Sequence, residues 1–382
     1  MTTNISWALA YVVAFVIIAA RPNRYLSLAR SNAIFLAAGL FAMLSALWSL
    51  TPSLSAYFGM LFLLNVVVGI VIAECFGISA IIRFIFWFCF LIQIASIVLA
   101  LGHSNIAIDP SGNVRGLYST KNVLAMYACI LEFTSVLLLF ARWRPLLCIA
   151  GIVLAFFCVI LSRSGTGALL FVFVSGVATC CYIMVRTSRL RLFAVGLGFI
   201  LIAIAGTAIV VSGINLSTDV LEAVGKDSTL TGRTELWDKA LQSFDSYPWF
   251  GLGYLSYWYS PQTEAAEIWI LTGQELYSFH NVYLDRLVDV GLIGLSLFVG
   301  GFLVLFWRST RLLFTERTVT WAWCLTFICF LAALGMSEYP IFWNSEFQLV
   351  LSIIAGATCK IRLRSVERPA IAPLPPGQPQ MT

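Results

Sequence analysis

The sequence predicts an all-α protein that crosses a membrane about eleven times, within a range of ten to twelve. Three observations lead there. First, 60% of the 382 residues are hydrophobic and 11% are charged, and the mean hydropathy is +0.93; a soluble chain is nearer half apolar and a quarter charged. Second, apolar runs of bilayer length, roughly 17–25 residues, recur near 3–20, 32–50, 58–77, 79–101, 123–140, 145–161, 166–185, 192–212, 284–307, 318–336 and 346–359. Third, with the N-terminus outward, sixteen of the twenty-three Lys and Arg residues fall on one side, the bias expected of cytoplasmic loops.

Each connection follows from that alternation. The inner ones carry Arg21, Arg24 and Arg30, then Arg83, Arg142 and Arg144, Arg186 to Arg191, and Arg308 to Arg317. The first apolar run lacks the basic lead of a signal peptide, so it is expected to be a retained span. Residues 1–366 read as one transmembrane domain. The remaining 367–382 hold five prolines and read as a disordered cytoplasmic tail. All ten cysteines lie in or beside apolar runs, with neither a disulfide framework nor CxxC metal spacing, so no metal is expected. The basic residues are dispersed rather than patched, which argues against a nucleic-acid partner.

The outer connections differ in content. Residues 51–57 are short and uncharged, 102–122 carry His103, Asp109, Arg115 and Lys121, and 213–283 form one long loop. A loop of that length is functional or disordered, and its aromatic patterning favours function. Within it, Leu236, Trp237, Ala240, Leu241 and Phe244 make one stripe of a short amphipathic helix from Arg233 to Asp245. Pro248 stops it, and Gly251-Leu252-Gly253 allows a sharp reversal.

Seven basic residues on the arginine-poor side need another reason to be there. Arg163, in Ser162-Arg163-Ser164-Gly165, adjoins a span start whose free backbone N–H groups suit an anion, and arginine binds phosphate bidentately. Its other reading is an arginine snorkelling to the interface. Arg233 opens the loop helix against the helix dipole, so either a bound phosphate or Glu235 must compensate. His280, just before a span, has the pKa of a general base; its other reading is an interfacial cap. Asn281 beside it is placed with the binding set. Asp285 and Asp289 follow, as orienting groups or as acids that satisfy the dipole. Arg115 and Lys121 form a further basic cluster. The aromatics Tyr254 and Trp258 suit stacking on a ring-shaped ligand or an interfacial belt.

These residues resemble the motifs of the bacterial O-antigen ligase and polymerase superfamily. The resemblance is carried by Ser162-Arg163-Ser164-Gly165-Thr166, by Gly232-Arg233-Thr234-Glu235-Leu236-Trp237 running to Pro248–Gly253, and by His280-Asn281-Val282-Tyr283-Leu284 running to Gly291–Gly294. Arg115 to Leu124 looks most like the exopolysaccharide-polymerising branch, and the motif region runs from 115 to 343. The resemblance implies a cofactor-free, metal-independent, inverting glycosyltransferase of the inner membrane that works on the periplasmic side. It implies an undecaprenyl-pyrophosphate-linked oligosaccharide as donor and a glycan acceptor, either a lipid-linked repeat or lipid A core. Chain-length regulators and export proteins are further implied partners. By the family pattern Arg163, Arg233 and His280 are the essential set. Arg115, Lys121, Glu235, Tyr254, Trp258, Asn281 and Asp285 are the expected substrate contacts. The rival readings are a ligase to lipid A core, a flippase of the same lipid-linked sugar, a metal-dependent glycosyltransferase and a non-catalytic assembly partner. A flippase would place charges near mid-membrane, where Glu132 is the main example. A metal-dependent enzyme would need acids in the 51–57 loop, which has none.

Overall fold

The computed structural model describes residues 2–102, 104–110, 112–187, 229–273, 275–337 and 347–367. His103 and the expected span at 192–212 lie outside them. Long apolar helices run Pro52–Cys75, Ile78–Gly102, Lys121–Phe140, Pro145–Ser162, Gly165–Arg186 and Val282–Glu316. These six are long and apolar enough to cross a membrane, and a seventh candidate is the pair Ser6–Ala20 and Pro22–Ser31, bent by 111°. Two shorter apolar helices cover 33–47 and 319–334, and Phe347–Glu367 closes the bundle. The chain is therefore a multi-pass membrane protein.

The connection at 21–31, read from its arginines as an inner loop, is a helix. Tyr25 and Leu28 are buried beneath it, Arg24 pairs with Glu74, and Pro22 starts it where no N–H is needed. The same end is held by Arg308, which is buried and donates to Asn32 Oδ1 (2.8 Å), Ser31 O (2.6 Å) and Gly356 O (3.2 Å). Helix alternation then sets 49–52, 104–121, 162–165, the loop before 282 and residue 335 at the opposite end. The arginine asymmetry expects that end to face outward.

One helix is broken on purpose. Val282–Glu316 has a non-helical residue at Gly291 (φ 64°, ψ −170°). An unbroken helix would pair Leu292 N with Val288 O and Ile293 N with Asp289 O. Instead Val288 O accepts from Leu252 N (2.9 Å) and Asp289 O from Gly253 N (2.8 Å), while Leu292 N donates to Pro248 O (2.8 Å) and Ile293 N to Trp249 O (3.3 Å). The loop Pro248–Gly253 is spliced into the break and satisfies all four freed groups, as low-dielectric surroundings require.

The splice needs glycine on both strands. A Cβ on Gly291 would sit 2.3 Å from the carbonyl carbon of Trp249, and one on Gly251 2.5 Å from Val288 O. Both residues have positive φ. The splice predicts that Gly291→Ala destabilises the purified protein by at least about 1–3 kcal/mol. Gly77→Ala is the control, since nothing lies within 4 Å of its Cβ. Thermal unfolding in detergent measures both, and equal midpoints would refute the splice as a constraint.

Candidate functional site

Two clusters occupy the expected outer end. The first is built on the Arg163 turn. The Pro145–Ser162 helix ends at Arg163, whose left-handed conformation (φ 49°) turns the chain. Ser164 then caps the Gly165–Arg186 helix by accepting from Gly167 N (3.1 Å), and its hydroxyl donates to Asn122 Oδ1 (2.9 Å). Val114 N donates to Leu161 O (3.2 Å). These bonds bring the 114–122 segment against the Arg163 turn, so Arg115, Lys121 and an exposed Arg163 share one corner with two helix N-termini. The field there is positive. Arg115 is partly committed, its Nε donating to Ile106 O (3.0 Å). Asp109 holds the loop by accepting from Asn113 N (2.8 Å).

The second cluster is built on His280. Its φ is 52°, and its conformation is held from several sides. His280 N donates to Ser278 Oγ (2.8 Å). Ser278 Oγ donates to Asp285 Oδ2 (3.0 Å), and Phe279 N donates to Asp285 Oδ1 (2.9 Å). Phe279 O accepts from Trp237 Nε1 (3.0 Å), tying in the loop helix. Val282 N donates to Gly335 O (2.8 Å). The imidazole is half-buried.

Asn281 and Asp285, expected as substrate contacts, have positioning roles in this arrangement. Asn281 Oδ1 caps the 282–316 helix by accepting from Tyr283 N (3.1 Å) and Leu284 N (3.3 Å). Asp285 is buried, and both its oxygens clamp the Ser278–Phe279 segment. Sequence alone offered the dipole reading for Asp285, and the clamp adds a second reason for its place.

The loop helix runs Thr229–Ser246, so Arg233 lies one turn inside it rather than at its start. The side chain of Arg233 lies outside the described residues. Glu235 is exposed. Leu236 and Ala240 are buried in a small core with Tyr257, Trp258, Ile268, Phe279 and Val288, and Lys239 pairs with Glu264 at 2.6 Å. Of the stripe read from the sequence, Leu236, Trp237 and Ala240 pack inward onto the loop's own core, while Leu241 is exposed. A second helix, Ala265–Thr272, carries no periodicity long enough to be read from sequence.

Tyr254 and Trp258 are also buried rather than presented to a ligand. Trp258 packs on Phe279 (ring centroids 4.8 Å apart). Tyr254 lies under the guanidinium of Arg286, 4.8 Å from ring centroid to Cζ, and burial pushes its phenol up to about 12. Arg286 is one of the seven basic residues on the arginine-poor side, and sequence reasoning gave it no role. It is 2% exposed, with Nη1 3.2 Å from Asp289 Oδ2, and its Nε has no hydrogen-bond partner among the described residues. Its signal was a basic residue three before an acid at a span head, on the arginine-poor side. Among the described residues no three His, Cys, Asp or Glu side chains gather as a metal site would require.

Residues 150–299 match the family described as Wzy_C, O-Antigen ligase. That stretch contains the Arg163 turn, the loop helix, the His280 turn and the splice. The chain is O-antigen ligase-like. It is also 29% identical over 290 residues to a protein of Rhizobium meliloti (strain 1021) named Exopolysaccharide production protein ExoQ. The alignment covers 72% of this chain and 65% of that protein, so the chain spans a little under two thirds of this relative's length. The two likenesses agree with the motifs in pointing to the O-antigen ligase superfamily, and the second points to its exopolysaccharide branch.

The Asp285 clamp makes a direct prediction. Asp285→Ala removes a charged acceptor from two buried donors, a loss of about 1.5–3 kcal/mol. Amide exchange at Phe279 and His280, read by mass spectrometry on the protein in detergent, should accelerate by roughly tenfold or more, while exchange in the Pro145–Ser162 helix stays unchanged. Unaltered exchange at 279 and 280 would remove the clamp.

Proposed function

We propose that this chain is a glycosyltransferase of the inner membrane that polymerises lipid-linked oligosaccharide repeats on the periplasmic face during exopolysaccharide assembly. The observation that carries the reading is the convergence at one end of the bundle of an exposed arginine turn flanked by two helix N-termini and a histidine held on a clamped turn. The first suits a diphosphate and the second a hydroxyl. The family likeness supports a lipid-linked saccharide as donor, which this reading takes to be undecaprenyl pyrophosphate bearing the saccharide.

In this mechanism Arg163 and Arg233, helped by Arg115 and Lys121, hold the donor diphosphate by charge-assisted hydrogen bonds. His280 takes the proton of the acceptor hydroxyl as that oxygen attacks the anomeric carbon. The bond from anomeric carbon to phosphate oxygen breaks, its electron pair leaves with undecaprenyl pyrophosphate, and the anomeric configuration inverts. No metal is required, because the arginines and the helix ends carry the leaving group's charge. The ExoQ likeness favours a polymerase over a ligase that transfers to lipid A core.

Losing one preorganised donor to developing charge lowers turnover by about 10²–10³-fold, and losing a general base by about 10²–10⁴-fold. Arg163→Ala, Arg233→Ala and His280→Ala are therefore expected to abolish polymer in a deletion strain at normal protein level, with Arg163→Lys retaining part of it. The measurement is polymer length and yield by gel filtration. Wild-type polymer from any of the three alanine variants would overturn that residue's assignment. If deletion instead leaves polymer intact and lipopolysaccharide uncapped, the ligase reading replaces this one.

A further inference from the structure

Tyr254 and Trp258 are buried, but the loop presents exposed aromatics elsewhere, among them a stacked strip. Tyr259 and Tyr277 are 40% and 37% exposed, and their rings stack at 5.4 Å and 28°. Trp269 meets Tyr277 edge-on at 5.5 Å. The strip continues through Phe58, 6.3 Å from Tyr259, to Tyr57, which is 48% exposed. It thus joins the first turns of the Pro52–Cys75 helix, the 257–259 turn and the Ala265–Thr272 helix, and Tyr277 precedes His280 by three residues. An exposed aromatic face of this extent marks an interaction surface.

The polar groups around it select the occupant. Tyr277 OH donates to Glu275 Oε2 (2.8 Å), and Glu275 is exposed. The strip is therefore edged by a carboxylate. Surfaces that settle on anionic lipid headgroups carry Lys and Arg instead, and a phosphate would be repelled here. A pyranose fits both features: its C–H face packs on an aromatic ring, and its hydroxyls donate to carboxylates.

We propose that Tyr259, Tyr277 and Trp269, edged by Glu275, form a glycan subsite that holds neutral sugar units beside His280. This rests on the glycosyltransferase reading and adds to it the place where the saccharide is gripped, away from the diphosphate corner.

The test uses the full-length protein in nanodiscs and oligosaccharides cut from the producing cell's own exopolysaccharide by partial acid hydrolysis. Calorimetry should show binding by the wild type and a loss of about tenfold or more in Tyr259→Ala/Tyr277→Ala. Tyr259→Phe/Tyr277→Phe, which keeps both rings, should bind close to wild type and controls for folding. His280→Ala should bind as wild type does while transferring nothing. No binding by the wild type, or equal binding by the double alanine variant, overturns the subsite. So does quenching of Trp269 by brominated lipids, which would make the strip a membrane anchor. Binding that depends on the tyrosines in a protein that forms no glycosidic bond would sink the transferase reading and leave the subsite standing.

Discussion

The structure depends on a helix that gives up two of its own hydrogen bonds to a loop. At Gly291 the 282–316 helix loses its regular pairing, and Pro248–Gly253 supplies both the donors and the acceptors that the break exposes. Each unpaired backbone group in a low-dielectric setting would cost several kcal/mol, so the break and the loop exist only as a pair. The constraint propagates outward. With 248–253 fixed, Tyr254 is placed over Arg286, and Ser55 Oγ donates to Tyr254 O (2.8 Å). Leu50 N donates to Leu252 O (3.1 Å). The first outer connection, the long loop and the head of the 282–316 helix thereby become one body.

That body carries His280. Trp237 grips Phe279 O from the loop helix, Asp285 grips Phe279 N and Ser278 from the span, and Asn281 caps the span itself. A positive-φ residue costs energy wherever it is not glycine, and at His280 the surrounding bonds hold it in place. The Arg163 turn, the other positive-φ position of the proposed site, belongs to a different body, made by the 121–140, 145–162 and 165–186 helices with the 114–122 segment.

The sequence located most of this and mislaid some of it for physical reasons. A twenty-residue apolar run has one reading, so the helices at 78–102, 121–140, 145–162 and 165–186 begin and end within about two residues of the expected bounds. The Pro22–Ser31 helix was hidden because arginines on a surface helix and arginines in a loop satisfy the same charge bias. Pro248–Gly253 reads as a stop and a reversal, and Gly291–Gly294 as the end of a family motif inside a span, yet nothing local says that one is spliced into the other. The exchange links residues some forty positions apart. Tyr254 and Trp258 were read as surface aromatics because they follow glycines in a polar loop. The loop has its own core, with Leu236 and Ala240 facing Trp258 and Phe279, and only the tertiary arrangement shows that the aromatics fill it. Arg286 was counted among the outward cations, and its pairing with Asp289 and Tyr254 emerged only with the splice.

Two bodies at one end of the bundle suit the chemistry proposed for them. A diphosphate needs charge that stays put, and the Arg163 corner supplies it through side chains and helix ends fixed by the Ser164–Asn122 and Val114–Leu161 bonds. A hydroxyl nucleophile needs a base whose orientation does not drift, and the spliced body supplies it through an imidazole pinned on a clamped turn. A small displacement between reacting groups slows a reaction far more than it weakens binding. The relation between the two bodies is therefore what the fold must protect. Its means are on the 282–316 helix, which packs on the 165–186 helix while holding His280 at its own head. Because Gly291 breaks that helix two residues below Asp289, the loop spliced into the break keeps its head aligned with its shaft. In the proposed mechanism the motif glycines touch neither proton nor phosphate, and their part is to set the geometry that the base and the leaving group would need.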